Sequence, residues 1–332
     1  MKNNISGRRR LVLGAALAVA AGAAGVLPVQ AADYPTRAVR LVVPIGPGSG
    51  ADTVMRYLAE RLAPALGQAV VVDNKPGAET LLATQAVLGA PADGYNLLLT
   101  AVSTLTVPFT NSAAKYDPVR DLRPIAVVSR GPALLVTASQ SRFATFAQAL
   151  AEARRKSGAV SMAVYSNSYR VGVLDLSRQG GPAFNLISYK GFSQLSADVI
   201  GGSVDLALVD ASAALPLIRS GKLRALATTG ETRMAEIPAM PTVRESGFPG
   251  YSLYVWIGLA VRSGTPEPVV RRLEKEVGAI VTSPAYRDFI AKQNPGAEPV
   301  GLVGAPAAQD FVREAERYRN VLGMIGQQPG QN

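Results

Sequence analysis

From residue 38 onward the chain alternates β-branched runs with stretches of helical spacing, and that rhythm constrains the fold more than any other feature. Residues 38–43 read as a buried strand. An amphipathic helix follows, with Val54, Leu58, Leu62 and Leu66 on one face and Asp52, Arg56 and Glu60 on the other. Pro64 is expected to kink or fray its last turn. The valine run 69–73 is the next strand, 79–89 is helical, Pro91–Tyr95 is a turn and 96–100 is a third strand. The same period predicts strands at 125–129, 133–137, 160–164, 184–188, 204–209, 223–228 and 252–261. Helices are predicted between them at about 145–156, 170–179, 192–200 and 211–220. Thr265-Pro266 caps another, with Val269, Leu273, Val277 and Ile280 on one face, and a last helix from about 306 carries Phe311, Ala315, Tyr318 and Leu322. Residues 324–332 are expected to fray. This alternation predicts an α/β architecture with parallel sheets covered on both faces. No Gly/Ser linker interrupts it, so about 300 mature residues should form two lobes joined by ordinary strands. The crossings are expected near 129–133 and 250–256.

The chain contains no histidine and no cysteine. Ser-His-Asp and Cys-His nucleophiles and histidine-based metal sites are thereby excluded, as are disulfides and a lipidated cysteine anchor. Carboxylate pairs, Ser–Lys dyads or binding without catalysis remain, and neither a metal nor a cofactor is expected. Lys2, Arg8, Arg9 and Arg10 precede an almost wholly Leu/Ala/Val/Gly run at 11–27, and Val29 and Ala31 fit a signal-peptidase site. Residues 1–31 therefore read as a cleaved secretory signal, with Arg8-Arg9-Arg10 also admitting a twin-arginine route. The expected location is a periplasm. Of the formal charge of +10, four positive residues lie in the signal, leaving +6 spread thinly over the rest. With 6% aromatic residues and no basic stripe, nucleic-acid binding is not expected.

Two turns could carry binding. Pro44-Ile45-Gly46-Pro47-Gly48-Ser49-Gly50-Ala51-Asp52 follows a strand and opens a helix, and Ser49 and Asp52 resemble a capping box with Asp in place of Glu. Free amides of a glycine loop at a helix N-terminus suit an anion. Gly46, Gly48 and Ala51 also satisfy the dinucleotide fingerprint, with Asp73 ending the next strand. Pro47 argues against that reading, because it removes an amide donor where pyrophosphate needs one. The second turn, Tyr165-Ser166-Asn167-Ser168-Tyr169-Arg170, occupies the same place in the second half. Arg170 either reads a second acidic group on a ligand or faces water. Tyr189 and Asp210, at strand ends, belong to the same edge, where each is either functional or a structural turn residue. Ser103, just past the third strand, completes the candidate set. Trp256 is read as core or hinge packing.

Many short segments together resemble the Bug-type extracytoplasmic solute receptors of tripartite tricarboxylate transporters. They include Tyr34-Pro35-Thr36-Arg37, Asn74-Lys75-Pro76-Gly77-Ala78, Asp93-Gly94-Tyr95, Tyr116-Asp117-Pro118 and Tyr189-Lys190-Gly191. Gly201-Gly202-Ser203-Val204-Asp205, Gly221-Lys222-Leu223-Arg224-Ala225, Pro241-Thr242-Val243, Trp256-Ile257-Gly258-Leu259 and Gly264-Thr265-Pro266 continue the likeness to about Gly323. The resemblance implies a type II periplasmic-binding-protein fold, two α/β lobes joined by two crossing strands. Lobe 1 would comprise 32–131 plus 252–332, and lobe 2 would be 132–251. It further implies that loops 45–52 and 165–170 face one another and hold a ligand carboxylate on backbone amides. Ile45, Gly46, Gly48, Ser49, Asp52, Ser103, Tyr165, Ser166, Asn167, Ser168, Tyr169, Arg170, Tyr189 and Asp210 are the expected ligand-binding residues. The family usually has Gly-Gly where Gly48-Ser49 stands and Gly-x-Gly-[Ser/Thr] where Ser166–Tyr169 stands, so the second half of the pocket is bulkier here. The implied function is capture of a small organic carboxylate by a monomer that delivers it to membrane permease subunits. The alternatives are an exported NAD(P)-dependent oxidoreductase and a ligand-sensing receptor for a sensor kinase.

Overall fold

The computed structural model describes residues 34–293 and 296–323. The signal segment 1–31 and the fraying expected at 324–332 lie outside the described residues. In chain order the elements are β1 (Val39–Val43), α1 (Gly50–Leu66), β2 (Val70–Asn74), α2 (Leu81–Leu88), β3 (Asn96–Ala101), α3 (Val102–Thr110) and α4 (Pro118–Asp121). Next come β4 (Leu122–Ala138), α5 (Phe146–Arg155), β5 (Ser161–Val164), α6 (Asn167–Arg178), β6 (Asn185–Ser188), α7 (Phe192–Ile200) and β7 (Leu206–Asp210). The chain continues through α8 (Ala211–Arg219), β8 (Leu223–Thr228), β9 (Tyr254–Arg262), α9 (Glu267–Val281), α10 (Pro284–Gln293), β10 (Glu298–Val303) and α11 (Ala305–Gly323).

The α/β alternation holds, but the sheets are mixed rather than parallel. Strand order is β2-β1-β3-β9-β4-β7-β5-β6, with β8 and β10 both pairing with β4. β1 runs parallel to β2 and β3, and β5 runs parallel to β6 and β7. The antiparallel pairs all involve β4 or β9. Helical crossovers build the two parallel groups, and the long strands that link them must run the other way. β4 is one strand of 17 residues, not two. It pairs with β9 as far as Pro132↔Tyr254 and with β7 from Ala133↔Asp210. Gly131-Pro132 therefore marks an exchange of partners, not a strand end. Beside it the Leu253 N–H donates to the Thr229 carbonyl at 2.9 Å, where the chain returns.

Each sheet has its own core. Val42, Leu98, Trp256, Phe311 and Tyr318 pack in one, and Leu135, Phe146, Met162, Leu208 and Tyr251 in the other. Trp256 is buried edge-on against Phe311, with ring centroids 6.1 Å apart, so it is a packing residue. Each large apolar side chain buried in this way contributes about 1.5–3 kcal/mol.

Other departures have local causes. α1 continues through Pro64 to Leu66 and stops at Gly67, whose φ of 69° is left-handed. So close to the C-terminus, Pro64 costs only one helical bond. The helix expected at 79–89 starts at Leu81, because Ala78, Glu79 and Thr80 have positive φ. The helix expected at 170–179 starts three residues earlier, at Asn167. Thr265 does not cap α9; its hydroxyl donates to the Arg262 carbonyl at 2.7 Å. α3 has a β-branched sequence that reads as a strand. It forms a helix because Val102, Leu105 and Val107 are buried by their neighbours, while Thr104 Oγ1 accepts from the Ala101 amide at 3.1 Å. β10 depends on β4 far away in sequence and has no local signature.

Candidate functional site

Because β1, β2 and β3 are mutually parallel, the segments after Val43, Asn74 and Ala101 emerge at one sheet edge. The segments after Val164, Ser188 and Asp210 emerge at the corresponding edge of the second sheet. Open α/β sheets bind ligands at such carboxyl edges.

The first edge carries the glycine loop, and Asp52 organises it. Its carboxylate is 1% exposed. Oδ2 accepts from the Gly48 amide at 2.8 Å and from Arg56 Nε at 2.9 Å, and Oδ1 accepts from Asn74 Nδ2 at 2.8 Å. The same Asn74 amide donates to the Ile45 carbonyl at 2.9 Å. Burial alone would raise the Asp52 pKa, but the bonds from Arg56, Asn74 and Gly48 outweigh it and hold the carboxyl below its ordinary value. Ser49 caps α1 by accepting from the Asp52 amide at 3.2 Å. The reciprocal bond of the expected capping box goes to Gly48 instead of Ser49. Asp52 and the Ile45 carbonyl are thus committed to holding the loop.

The loop's open resource is its backbone. Among the described residues, the N–H groups of Gly46, Ser49, Gly50 and Ala51 have no acceptor in the protein. Gly48 has a φ of 82°, and a Cβ at Gly46, Gly48 or Gly50 would meet nothing within 4 Å. Four amide donors therefore line an uncovered surface at a helix N-terminus, where the dipole favours an anion. The dinucleotide reading loses its acid: Asp73 pairs with Arg40 at 3.3 Å and Lys75 at 3.6 Å, and the Gly48 amide is already taken.

The second edge is built differently. The Tyr165 hydroxyl donates to Asp210 Oδ2 and lies 3.3 Å from the Tyr169 hydroxyl, the two rings being 5.0 Å apart. Burial first, then the charge and hydrogen bond of Asp210, raise the Tyr165 pKa, so the phenol stays protonated and donates. Asp210 also caps α8, accepting from the Ala213 amide at 2.8 Å and the Ser212 hydroxyl at 2.6 Å. Ser166 begins α6 without a side-chain cap. Among the described residues the N–H groups of Ser166, Asn167, Ser168 and Tyr169 lack a protein acceptor, while Arg170 N–H donates to the Ser166 carbonyl at 3.1 Å.

One side chain joins the edges. Asn167 Nδ2 donates to Glu79 Oε2 and, at 3.2 Å, to Thr110 Oγ1, both on the glycine-loop side. That contact brings the start of α6 against the segment that follows β2. Ser103, half-buried in the first turn of α3, shares the first edge. The remaining expected residues lie further out. Tyr189 turns toward α7, where its hydroxyl donates to Asp198 at 2.7 Å, and burial raises its pKa to about 12. Arg170 is exposed on α6 and lines an open groove with Leu174, Ser177 and Ser188. Sequence reasoning missed Glu79 and Thr110. The run Lys75-Pro76-Gly77-Ala78 was legible as a motif, but nothing local shows that the next side chain reaches the opposite edge.

Two α/β sheets that exchange partners along β4 form the two-lobed architecture of periplasmic solute-binding proteins. Residues 54–326 match the tripartite tricarboxylate transporter family receptor, and the chain belongs to that family. It is a family of periplasmic receptors for solutes, not of enzymes. The fold is similar to that of the periplasmic binding protein BugD (TM-score 0.72, 29% identity, 88% of this chain and 99% of that one). An R. palustris protein solved with adipate gives the same figures. MatC from Rhodopseudomonas palustris, solved with bound malate, gives a TM-score of 0.71 at 27% identity over 87% of this chain and all of that one. No helix among the described residues is long and apolar enough to cross a membrane.

Proposed function

We propose that this receptor captures a small organic carboxylate between the loops 45–52 and 165–170 and hands it to the permease subunits of a tripartite tricarboxylate-type transporter. The observation that supports it is a set of acceptor-free amides on each edge, those of Gly46, Ser49, Gly50 and Ala51 on one and of Ser166 to Tyr169 on the other, with Asn167 bonding from the second edge to the first. The adipate- and malate-bound relatives support a carboxylate as the ligand class. The lobes are 32–131 with 252–332, and 132–251, a division supported by the exchange of partners at Pro132 and Ala133. Export through a signal cleaved after Ala31, by a Sec or twin-arginine route, and action as a monomer complete the reading. A ligand held by both lobes stabilises the fold by RT ln(1 + [L]/Kd), about 2.7 kcal/mol at a hundredfold excess over Kd. A thermal-shift panel of organic acids against the mature protein should show this rise for at least one member. A flat response across the panel rejects the proposal.

A further inference from the structure

The segment that bridges the cleft is costly to hold. Ala78, Glu79 and Thr80 have φ of 44°, 51° and 86°, and none is glycine. In the left-handed region the Cβ of such residues crowds the following carbonyl, which disfavours it for all but glycine. The Thr80 hydroxyl next to Glu79 is also buried without a hydrogen-bond partner. Strain of this sort persists only where the surroundings enforce it, and it clusters at ligand clamps. What the strained turn delivers is one carboxylate, that of Glu79, to the first residue of α6.

That carboxylate is not neutralised by a close ion pair. Among the described residues no Lys or Arg lies within salt-bridge distance of Glu79, and the same holds for Asp210 on the opposite edge. Asp52, by contrast, is paired with Arg56 at 2.9 Å. Among the described residues, Asp210 is served by neutral donors, from Tyr165, Ser212 and the Ala213 amide. Protein packed around the Glu79 carboxyl raises its pKa, with the more distant charge of Arg170 and the Asn167 amide opposing. The cleft thus joins amide donors for one ligand carboxylate with two carboxylates, one on each edge, that lack a cation.

We infer that Glu79 is a specificity-determining residue, and that with Asp210 it selects ligands whose far end is cationic or a neutral donor: amino carboxylates over dicarboxylates. This deepens the proposed function and rests on it. A second ligand carboxylate would meet Glu79 as a like charge, whereas an ammonium would pair with it. Arg170, whose field falls on Glu79, is then spent on the protein's own acid and does not read a second ligand acid.

The test compares Glu79→Gln with the wild-type mature protein by isothermal titration. Glutamine keeps the shape and the acceptor for Asn167 and removes the charge. The probes are two length-matched series, succinate, butyrate and γ-aminobutyrate, and adipate, hexanoate and ε-aminohexanoate. The wild-type protein should prefer the amino acid to the diacid in the series that fits. Measured against the simple monoacid with the same protein, Glu79→Gln should strengthen the diacid and weaken the amino acid by about tenfold each, a change of about 1.4 kcal/mol. Melting temperature checks that the variant is folded. Equal changes for all three ends, or no change, overturn the selectivity role while leaving a carboxylate receptor intact. If neither protein binds any organic acid here or in the broader panel, the receptor reading itself fails and this inference with it.

Discussion

The loops at the carboxyl edges of the two sheets, 45–52 and 165–170, are held in place by opposite means. The glycine loop is stitched from within its own neighbourhood: every partner of Asp52 lies between Gly48 and Asn74. The second loop and its helix are held from far along the chain. Tyr165 reaches Asp210, 45 residues away, and Asn167 reaches Glu79, 88 residues away. At the other end of α6, the buried Asp175 accepts from Arg317, 142 residues away, at 3.1 Å, and that guanidinium also donates to the Ser252 carbonyl. A locally closed loop costs little chain entropy and presents backbone alone. The remotely held loop presents side chains brought from several elements.

Removing the remote anchor should have the largest effect. Arg317→Met leaves Asp175, 1% exposed, with Arg178 and Gln179 but without its partner from α11. Stripping one partner from a buried charge is costly, here about 3 kcal/mol. Urea unfolding at unchanged slope should report it, and a loss under about 1 kcal/mol would show that α6 does not depend on α11.

The local network should matter somewhat less, and through pH. Asp52→Asn should cost about 2 kcal/mol at neutral pH, the scale of hydrogen bonds to a charged group. The folded Asp52 pKa is lowered, so its stabilisation is complete above the ordinary aspartate value of 3.8 and is lost as pH falls through the lower folded value. The gap between wild type and Asp52→Asn should therefore be constant from neutral pH to about 5 and should close below 3.8. A gap independent of pH in denaturation curves would mean that shape, not charge, holds the loop.

The smallest effect tests the backbone itself. A Cβ at Gly48 meets no neighbour, so Gly48→Ala should lose only the cost of its left-handed φ, about 1 kcal/mol. A larger drop in melting temperature would mean that the loop has less room than its open surface implies.

Local patterns carried most of the fold. The hydrophobic period located β1, α1, β5, β7 and α9, because each element's buried face repeats within one or two turns. The capping pair Ser49 and Asp52 was legible for the same reason: its partners are a few residues away. Strand direction was not legible, since the alternation of β and α says nothing about which way β4 and β9 run. α3 was missed because its β-branched sequence favours a strand until tertiary contacts bury Val102 and Leu105. Within the candidate site, the Ser49–Asp52 helix start was readable, whereas the Tyr165–Asp210 and Asn167–Glu79 bonds were not. By itself, then, the sequence determined the α/β alternation, the place of the two candidate turns and the helix start at Ser49 and Gly50. Only the tertiary structure decided that β4 is one strand shared by both sheets, that Asp52 serves the loop, and that Glu79 stands across from Asn167. The reason is physical: hydrogen bonds and packing between residues dozens of positions apart leave no periodic trace in the chain that makes them.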